Sequence, residues 1–243
     1  MATIRIGTSG WSYPHWRGSF YPASLPADEW LPFYATHFGT VEINSTFYRL
    51  PSAKTVATWR DATPPGFTFT AKLSRFVTHM KKLKDPQQTL PPFLERIALL
   101  GAKLGPLVIQ LPPNWNRNEA RLAQFLRAAP QGQRFTVECR NNSWWTDGIF
   151  DLLRRDGVAA CIFHLAGIWS PIIETADFIY IRLHGPDGAY SGCYDAAALQ
   201  RIAGWCRDWR DRSIDVFVFF DNDEHAYAVK NALTLLEILQ DPN

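Results

Sequence analysis

The sequence predicts an α/β protein, built as a single (β/α)8 TIM-like barrel over residues 1–243. Strand-like runs and amphipathic helical patterns alternate about eight times along the chain, which matches the size of such a barrel. No linker, repeat or charged tail divides the sequence into two domains. The turn after the first run, residues 7–11, lacks the glycine spacing of a phosphate-binding turn, so a doubly wound open sheet is the second choice.

Eight short runs are predicted as strands, because β-branched and aromatic residues fill them and turn residues separate them. They lie at residues 4–9, 40–45, 67–74, 107–111, 135–140, 159–164, 178–184 and 215–221. Helical spacing of apolar residues is clearest near the end of the chain. One such helix follows the candidate N-cap Asp195 and carries Leu199, Ile202, Ala203 and Cys206, and the last follows Asp223 and carries Ala226, Val229, Leu233 and Leu236.

Charge and hydropathy exclude several classes of protein. The 25 Lys and Arg residues nearly balance the 23 Asp and Glu residues, so the net charge of +2 does not favour indiscriminate binding of polyanions. No apolar run approaches the ~18 residues of a membrane helix, and the first residues lack the pattern of a signal peptide. Four cysteines without C-x-x-C spacing predict reduced thiols and no zinc ribbon. We therefore predict a cytoplasmic protein with no membrane partner.

Alternation along the strands predicts which side chains face the barrel interior. In the second strand, Val41 and Ile43 are expected to face the helices, which sends Glu42 and Asn44 inward. The same parity predicts further inward polar residues near the C-terminal ends of the strands, namely Thr68, Thr70, Lys72, Ser74, Gln110, Glu138, Arg140, His164, Arg182, His184 and Asp221. Barrel interiors are usually aliphatic and a buried unpaired charge is costly, so these groups must pair, bind a ligand or stay hydrated.

The loops that follow the strands are rich in aromatic residues. They carry Trp11, Tyr13, Trp16, Phe47, Tyr48, Phe76, Trp115, Trp144, Trp145, Trp169, Tyr190 and Tyr194. Aromatic walls around a charged floor suit ligands that combine a flat face with an anionic group, such as sugars or bases. The alternative is that these rings pack the loops against one another, and for a single tryptophan that reading is favoured.

Several motifs resemble the DUF72 family, also called YecE-like. They are residues 7–13 (GTSGWSY), 41–48 (VEINSTFY), 72–75 (KLSR) with His79, 110–113 (QLPP), 182–185 (RLHG) and 220–223 (FDND). The resemblance covers nearly the whole chain, and the string at 41–51 is highly specific. It implies a TIM-like barrel and no established activity. In the family, the fifth-strand motif usually reads Glu-x-Arg-His with Ser-Trp shortly after. Here Glu138, Arg140, Ser143 and Trp144 match, but Asn141 replaces the histidine.

The resemblance also implies an analogy, by site geometry, to the endonuclease IV group of metal-dependent nucleases. Glu42, Glu138, His164, His184 and Asp221 are residue types that suit divalent zinc or manganese. However, no local ligand pair such as H-E-x-x-H is present, and Lys72, Arg140 and Arg182 would repel a cation. We therefore predict no metal site and no cofactor, and keep a metal-dependent phosphodiesterase as an alternative.

The favoured function is an enzyme, a hydrolase or a lyase, that acts on a small phosphorylated or carboxylated ligand at the C-terminal mouth of the barrel. The predicted catalytic residues are Glu42, Lys72, Glu138 and His184, with the carboxylates as bases, Lys72 as point charge or nucleophile and His184 as acid. The predicted ligand-binding residues are Trp11, Asn44, Arg75, His79, Gln110, Arg140, Trp144, Arg182 and Asp221.

Two expectations make this hypothesis concrete. Glu42, Lys72, Glu138, Arg182 and His184 are expected to converge in one cavity. Arg182 is expected to face an open, hydrated mouth, so that Arg182→Met loses ligand affinity and little stability.

Two alternatives come from other classes of protein. Nucleic-acid binding is weakened by the near-zero net charge and by the lack of a basic stripe beyond Lys81, Lys82 and Lys84. A non-catalytic metabolite sensor would bind the same small anion without turnover. The oligomeric state and the substrate cannot be inferred from the sequence.

Overall fold

The computed structural model of the chain describes residues 2–240. The chain divides into two compact units. The first unit comprises Met1–Glu42, Ile162–Ile172 and Phe178–Asn243, and the second comprises Ile43–Cys161 and Ile173–Asp177. A single domain over residues 1–243 stays a prediction, and residues 1 and 241–243 of that range lie outside the described residues.

The described strands form two five-stranded sheets. The strands are β1 (Ile4–Thr8), β2 (Thr40–Ile43), β3 (Thr68–Lys72), β4 (Leu104–Leu111), β5 (Phe135–Cys139), β6 (Ala159–Ala160), β7 (Ile162–Leu165), β8 (Ile168–Trp169), β9 (Phe178–Leu183) and β10 (Asp215–Phe220). The first sheet has the order β1-β10-β9-β7-β8 and the second has the order β2-β3-β4-β5-β6.

Most neighbouring strands are parallel. In the first sheet, β10 pairs in parallel with β1 and β9, β9 pairs in parallel with β7, and only the short β8 is antiparallel to its partner among the described strands. In the second sheet, the pairs β3–β4, β4–β5 and β5–β6 are parallel. Parallel pairing brings the C-terminal strand ends to the same edge of each sheet, where the polar residues lie.

The α/β class with parallel sheets is confirmed, whereas the closed (β/α)8 barrel stays a prediction because the described strands form two sheets. One predicted strand, residues 159–164, is wrong: it is split into β6 in the second sheet and β7 in the first. Ala160 pairs with Val137 of β5, and its backbone N–H donates to the side chain of Thr175 (Oγ1, 2.7 Å).

The helices alternate with the strands. They are α1 (Trp30–Ala35), α2 (Ala53–Asp61), α3 (Pro86–Thr89), α4 (Pro91–Ile97), α5 (Glu119–Ala128), α6 (Asp147–Arg155), α7 (Ala196–Asp211) and α8 (Tyr227–Gln240). The predicted cap of α7 is confirmed, since Asp195 Oδ1 accepts the N–H of Ala198 at 2.7 Å. In α8 the buried stripe is shifted to Ala228, Val229, Ala232 and Leu235, after a short 3₁₀ turn at Glu224–Ala226.

The strands are buried on both faces, as is typical of parallel sheets covered by helices. In β2, Val41, Glu42 and Ile43 are all inaccessible to solvent. A carboxylate is therefore held at the same depth as its aliphatic neighbours, and its charge must be compensated by nearby groups.

Close backbone approach fixes the position of β1 in the first unit. A Cβ added at Gly7 would lie 2.2 Å from the backbone oxygen of Thr40, so only glycine fits there. Two residues later, Ser9 forms a parallel bridge with Glu42. This contact places the Ser9 hydroxyl beside the buried carboxylate.

No helix of residues 2–240 is long and apolar enough to span a membrane. All four cysteines are free thiols, as predicted.

Candidate functional site

Glu42 and Arg182 form a buried ion pair in the first unit. Arg182 Nη2 lies 2.6 Å from Glu42 Oε1 and Arg182 Nε lies 2.9 Å from Glu42 Oε2, so the two planar groups pair side by side. Ser9 Oγ donates to Glu42 Oε1 at 2.5 Å, and Tyr180 OH donates to Oε2 at 2.8 Å. Both carboxylate oxygens of Glu42 therefore carry at least two hydrogen bonds.

Asp221 and His184 continue this network. Arg182 Nη2 lies 3.2 Å from Asp221 Oδ2, and the same oxygen lies 2.9 Å from His184 Nδ1. His184 Nε2 lies 3.4 Å from Arg182 Nη1. A guanidinium can only donate, so we assign Nε2 as the acceptor and Nδ1–H as the donor to Asp221.

We call Ser9, Glu42, Tyr180, Arg182, His184 and Asp221 the first-unit cluster. Arg182 is 0% exposed, and its guanidinium contacts two carboxylates. The expectation that Arg182 faces a hydrated mouth is therefore wrong, because Glu42 and Asp221 enclose it as structural partners.

A half-buried acidic rim adjoins the first-unit cluster. Tyr13 OH donates to the backbone oxygen of Ser9 at 2.7 Å, and burial together with Asp221 and Asp223 raises the pKa of Tyr13 far above its usual value. Burial and Asp221 also raise the pKa of the Asp223 carboxyl. His15 Nε2 lies 3.6 Å from Asp223 Oδ2 and opposes this rise. Negative charge dominates the surroundings of both groups.

Two further residues of the first unit were part of the predicted site or metal set. Trp11 is buried, and its backbone oxygen accepts the hydroxyl of Tyr21 at 2.6 Å. His164 stacks on Trp169 with ring centroids 4.5 Å apart, and its Nδ1 lies 2.9 Å from Tyr194 OH. Within residues 2–240, no group of three or more His, Cys, Asp and Glu side chains is arranged to hold a metal ion.

In the second unit, the ends of β4 and β5 bring together Gln110, Glu138 and Arg140. Gln110 and Glu138 are register partners, and Gln110 Nε2 donates to Glu138 Oε1 at 3.0 Å. Arg140 Nε donates to the same oxygen at 2.5 Å. The side chain of Glu138 is inaccessible, whereas that of Arg140 is 14% exposed. Arg140 thus links the buried carboxylate to the solvent.

Lys72, at the end of β3, contacts the loop that follows β2. Its Nζ lies 4.1 Å from the centroid of the Phe47 ring, which is cation–π distance. The Thr46 hydroxyl lies 2.7 Å from the backbone oxygen of Lys72 and holds this loop against the strand. Lys72 is buried, so its charge acts in surroundings of low dielectric constant.

His79 lies in a single π-helical turn, Phe76–Met80, that follows β3. Its ring meets the Phe47 ring edge to face at 4.8 Å. Burial and the positive charges of Lys72, Arg140 and Arg75 together lower the pKa of His79 to about 4, against the opposing effect of the Glu138 carboxylate. His79 is therefore a neutral imidazole at pH 7. We call Phe47, Lys72, His79, Gln110, Glu138 and Arg140 the second-unit cluster.

The remaining predicted binding residues lie in different environments. Arg75 is exposed beside the π-helical turn. The Asn44 Oδ1 atom is buried and has no hydrogen-bond partner. Trp144 is inaccessible, its ring N–H donates to the backbone oxygen of Trp115 at 2.7 Å, and the two rings pack 5.1 Å apart. This placement favours the packing alternative for Trp144.

Comparison with known proteins identifies the family. The family model described as "Protein of unknown function DUF72" matches residues 5–243. The chain belongs to the DUF72 family. The UPF0759 protein YecE of Escherichia coli O157:H7 is 31% identical over 182 residues, which cover 74% of this chain and 62% of that protein. The match to YecE of strain K12 covers 51% of that protein, so the chain spans less than two thirds of these two relatives.

Two further relatives match over nearly their whole length. The UPF0759 protein YunF of Bacillus subtilis (strain 168) is 24% identical, with 97% of this chain and 94% of that protein covered. The crystal structure of a DUF72 family protein from Thermotoga maritima MSB8 superposes with a TM-score of 0.89 at 27% identity, covering 98% of this chain and 100% of that one.

Asn141, which departs from the usual DUF72 motif, has a structural role here. Its Oδ1 accepts the N–H of Ser143 at 3.0 Å and caps the 3₁₀ turn Asn142–Trp144. Its Nδ2 donates to the backbone oxygen of Pro113 at 2.9 Å. The amide therefore joins the loops after β4 and β5.

The predicted site residues fall into two groups. The structure brings Glu42, Arg182, His184 and Asp221 together in the first unit, and Lys72, His79, Gln110, Glu138 and Arg140 together in the second. Convergence of Glu42, Lys72, Glu138, Arg182 and His184 in one cavity stays a prediction. Sequence reasoning missed Ser9 and Tyr180 as cluster members, although Tyr180 has the same strand parity as Arg182 and His184.

Proposed function

We propose that this DUF72 protein is an enzyme that binds a small phosphate- or carboxylate-bearing substrate at the second-unit cluster. The observation that carries the proposal is the charge imbalance around His79, where Lys72, Arg140 and Arg75 outweigh Glu138. An excess of cations over carboxylates at a partly buried site favours the binding of an anionic ligand. The first-unit cluster has no comparable excess of cations.

Each residue has a distinct part in this proposal. Lys72 supplies positive charge at the end of β3, fixed in place by the Phe47 ring. Glu138 orients Arg140 through a short charge-assisted hydrogen bond, and Gln110 orients Glu138. His79 is neutral near pH 7 and can accept a hydrogen bond from the bound substrate. Glu138 acts as an orienting group for Arg140, in place of the base that the sequence predicts.

Titration calorimetry with inorganic phosphate, sulfate and propionate tests the proposal. We expect millimolar or tighter binding of at least one of these anions by the wild type, and a loss of at least tenfold in Lys72→Met, since one direct charge contact is removed. Lys54→Met is the matched control, because Lys54 is an exposed lysine of α2 outside the cluster. Equal affinities in the wild type and Lys72→Met would refute this site.

A second candidate function, nucleic-acid binding, rests on an exposed aromatic and basic surface next to the π-helical turn. Tyr48 and Phe76 are 69% and 44% exposed, and Lys81 Nζ lies 5.7 Å from the centroid of the Phe76 ring. Exposed rings beside lysines suit stacked bases and phosphates. Binding of a single-stranded oligonucleotide with an affinity that falls steeply with salt would favour this candidate, whereas a small anion is expected to show a shallow dependence.

Turnover of a bound substrate would distinguish the enzyme from a metabolite sensor. We also propose that the strands form a closed (β/α)8 barrel and that the protein is cytoplasmic.

A further inference from the structure

Two hydrogen-bond acceptors in and beside the second-unit cluster have no donor from the protein. The first is Asn44 Oδ1, which is buried and unpartnered. Asn44 begins the turn Ser45–Phe47, whose Thr46 holds the backbone of Lys72 and whose Phe47 ring contacts the Lys72 ammonium. The acceptor therefore lies in the loop that also shapes the cationic side of the site. A buried acceptor without a donor is costly unless a bound molecule supplies one.

The second acceptor is His79 Nε2. We assign the proton of the Thr78 hydroxyl to the backbone oxygen of Ser74 (3.2 Å), which makes the Thr78 oxygen the acceptor of the His79 Nδ1 proton at 2.9 Å. In the neutral imidazole this leaves the lone pair on Nε2. Phe47 packs against the His79 ring and contacts Lys72, and the charges of Lys72 and Arg140 act on this imidazole.

The groups that surround the site decide which donor is acceptable. Lys72, Arg140 and Arg75 act together on His79, and Glu138 is the carboxylate that opposes them. A ligand ammonium group would be repelled by this excess of positive charge, whereas a neutral hydroxyl would not. The site thus combines attraction for an anion with two acceptors that fit hydroxyl groups.

We propose that the ligand of the second-unit cluster is a hydroxylated anion, a phosphate or carboxylate that carries hydroxyl groups within a few bonds of its charge. The anionic group lies by Lys72 and Arg140, and the hydroxyl groups donate to Asn44 Oδ1 and His79 Nε2. This inference rests on the proposed function and adds the substrate class. The class includes sugar phosphates and polyhydroxy acids, and excludes phosphorylated or carboxylated amines.

Three phosphate monoesters of the same chain length test the inference by calorimetry at pH 7.5. They are glycerol 3-phosphate, propyl phosphate and 3-aminopropyl phosphate. We expect wild type to bind glycerol 3-phosphate at least tenfold more tightly than the other two, because two acceptors are otherwise left unpaired. Glycerate and propionate provide the same comparison for a carboxylate, and we expect glycerate to bind more tightly. Equal affinity for glycerol 3-phosphate and propyl phosphate, with glycerate no tighter than propionate, would overturn the inference.

Variants separate this inference from the proposed function. We expect Asn44→Leu and His79→Phe each to weaken the binding of glycerol 3-phosphate by about threefold to tenfold. The affinity for propyl phosphate, which has no hydroxyl group, should change less. His79→Gln keeps an acceptor and is expected to recover part of the loss. Lys72→Met is expected to weaken the binding of all three monoesters.

The outcomes decide between the two proposals. If Lys72→Met weakens the binding of none of the monoesters, or if the wild type binds none, the proposed function fails. If only the preference for hydroxyl groups is missing, the ligand class alone fails. The three wild-type measurements decide this even if a variant does not fold.

Discussion

The two polar clusters differ in how their charges are balanced. In the first-unit cluster, Arg182 contacts both Glu42 and Asp221, and its side chain is inaccessible. In the second-unit cluster, Lys72 and Arg140 act with Arg75 against Glu138, and Arg140 reaches solvent. Similar residue types on parallel strands therefore serve different purposes. A closed network of opposite charges holds strands together, whereas an unbalanced and partly open one is suited to a ligand.

Arg182→Met tests whether the first-unit cluster is a structural network. Removing the guanidinium leaves Glu42 and Asp221 buried without their shared partner, so we expect the free energy of unfolding to fall by about 3 to 5 kcal/mol. Urea denaturation at pH 7 measures this loss. Lys72→Met in the other cluster is the comparison, and we expect it to cost less than Arg182→Met because it relieves repulsion among the cations that act on His79.

A double-variant cycle distinguishes the ion pair from lost packing. Glu42→Gln combined with Arg182→Met removes a buried charge together with its partner. We therefore expect the double variant to lose less free energy of unfolding than the two single variants lose in sum. If Arg182→Met unfolds at the same urea concentration as the wild type, the cluster is hydrated and the contrast between the two units is broken.

The pH dependence of stability tests the lowered pKa of His79, which burial causes first and the neighbouring cations second. The pKa of His79 is about 4 in the folded protein against an ordinary value of 6.5. Between these values the unfolded chain binds a proton that the folded protein does not, so the free energy of unfolding falls as the pH falls from 6.5 to 4. Since His79 is only half-buried, solvent screening reduces the contribution to about 2 kcal/mol. The contribution of His79 to the free energy of unfolding is complete above pH 6.5 and is lost as the pH falls toward 4.

His79→Gln serves as the reference for this measurement. The variant cannot take up a proton at that position, so the wild type should lose more stability than the variant between pH 6.5 and 4. Identical pH profiles for the two proteins would show that the pKa of His79 is not lowered in the folded protein.

Strand parity explains how much of these clusters the sequence predicts. Glu42, Gln110 and Glu138 alternate with aliphatic residues, and each proves to be a buried polar group at a strand end. Parity gives the direction of a side chain but not its partner. It could not distinguish Arg182, enclosed by two carboxylates, from Arg140, which reaches solvent.

The rest of the structure depends on contacts that are distant in the sequence. Ser9 Oγ reaches Glu42 across 33 positions, and Tyr180 reaches it across 138, so neither contact leaves a local pattern. The division of residues 159–164 between two sheets is equally hidden, because β6 and β7 have the same apolar composition as one continuous strand. The sequence predicts Trp144 as a ligand-binding residue. Its hydrogen-bond partner Trp115 lies 29 positions away, so this packing contact leaves no local pattern either.

Lys72→Met sharpens the comparison within the second unit. Lys72 is the strongest charge, after burial, that lowers the pKa of His79. Without it, we expect the pKa of His79 to rise by up to about one unit, or about 1.4 kcal/mol in the protonation equilibrium. Titration followed by NMR of the imidazole nitrogens measures the shift, with Lys54→Met as the control. An unchanged pKa would mean that Arg140 and burial alone keep His79 neutral.

Asn141→Ala has the smallest expected effect and tests whether the residue that departs from the usual DUF72 motif belongs to the scaffold or to the ligand site. Asn141 caps a 3₁₀ turn through Ser143 N and donates to Pro113 O. Losing the cap should lower the free energy of unfolding by about 1 kcal/mol, and Asn141→Ser, which retains a capping hydroxyl, should lose less.

Thermal melts measure the stability of both variants, and calorimetry with inorganic phosphate measures their binding. We expect anion affinity to stay within twofold of the wild type, because both groups of the Asn141 amide already bond to the protein. A larger loss of affinity than of stability would place Asn141 in the ligand site and extend that site into the loop after β5.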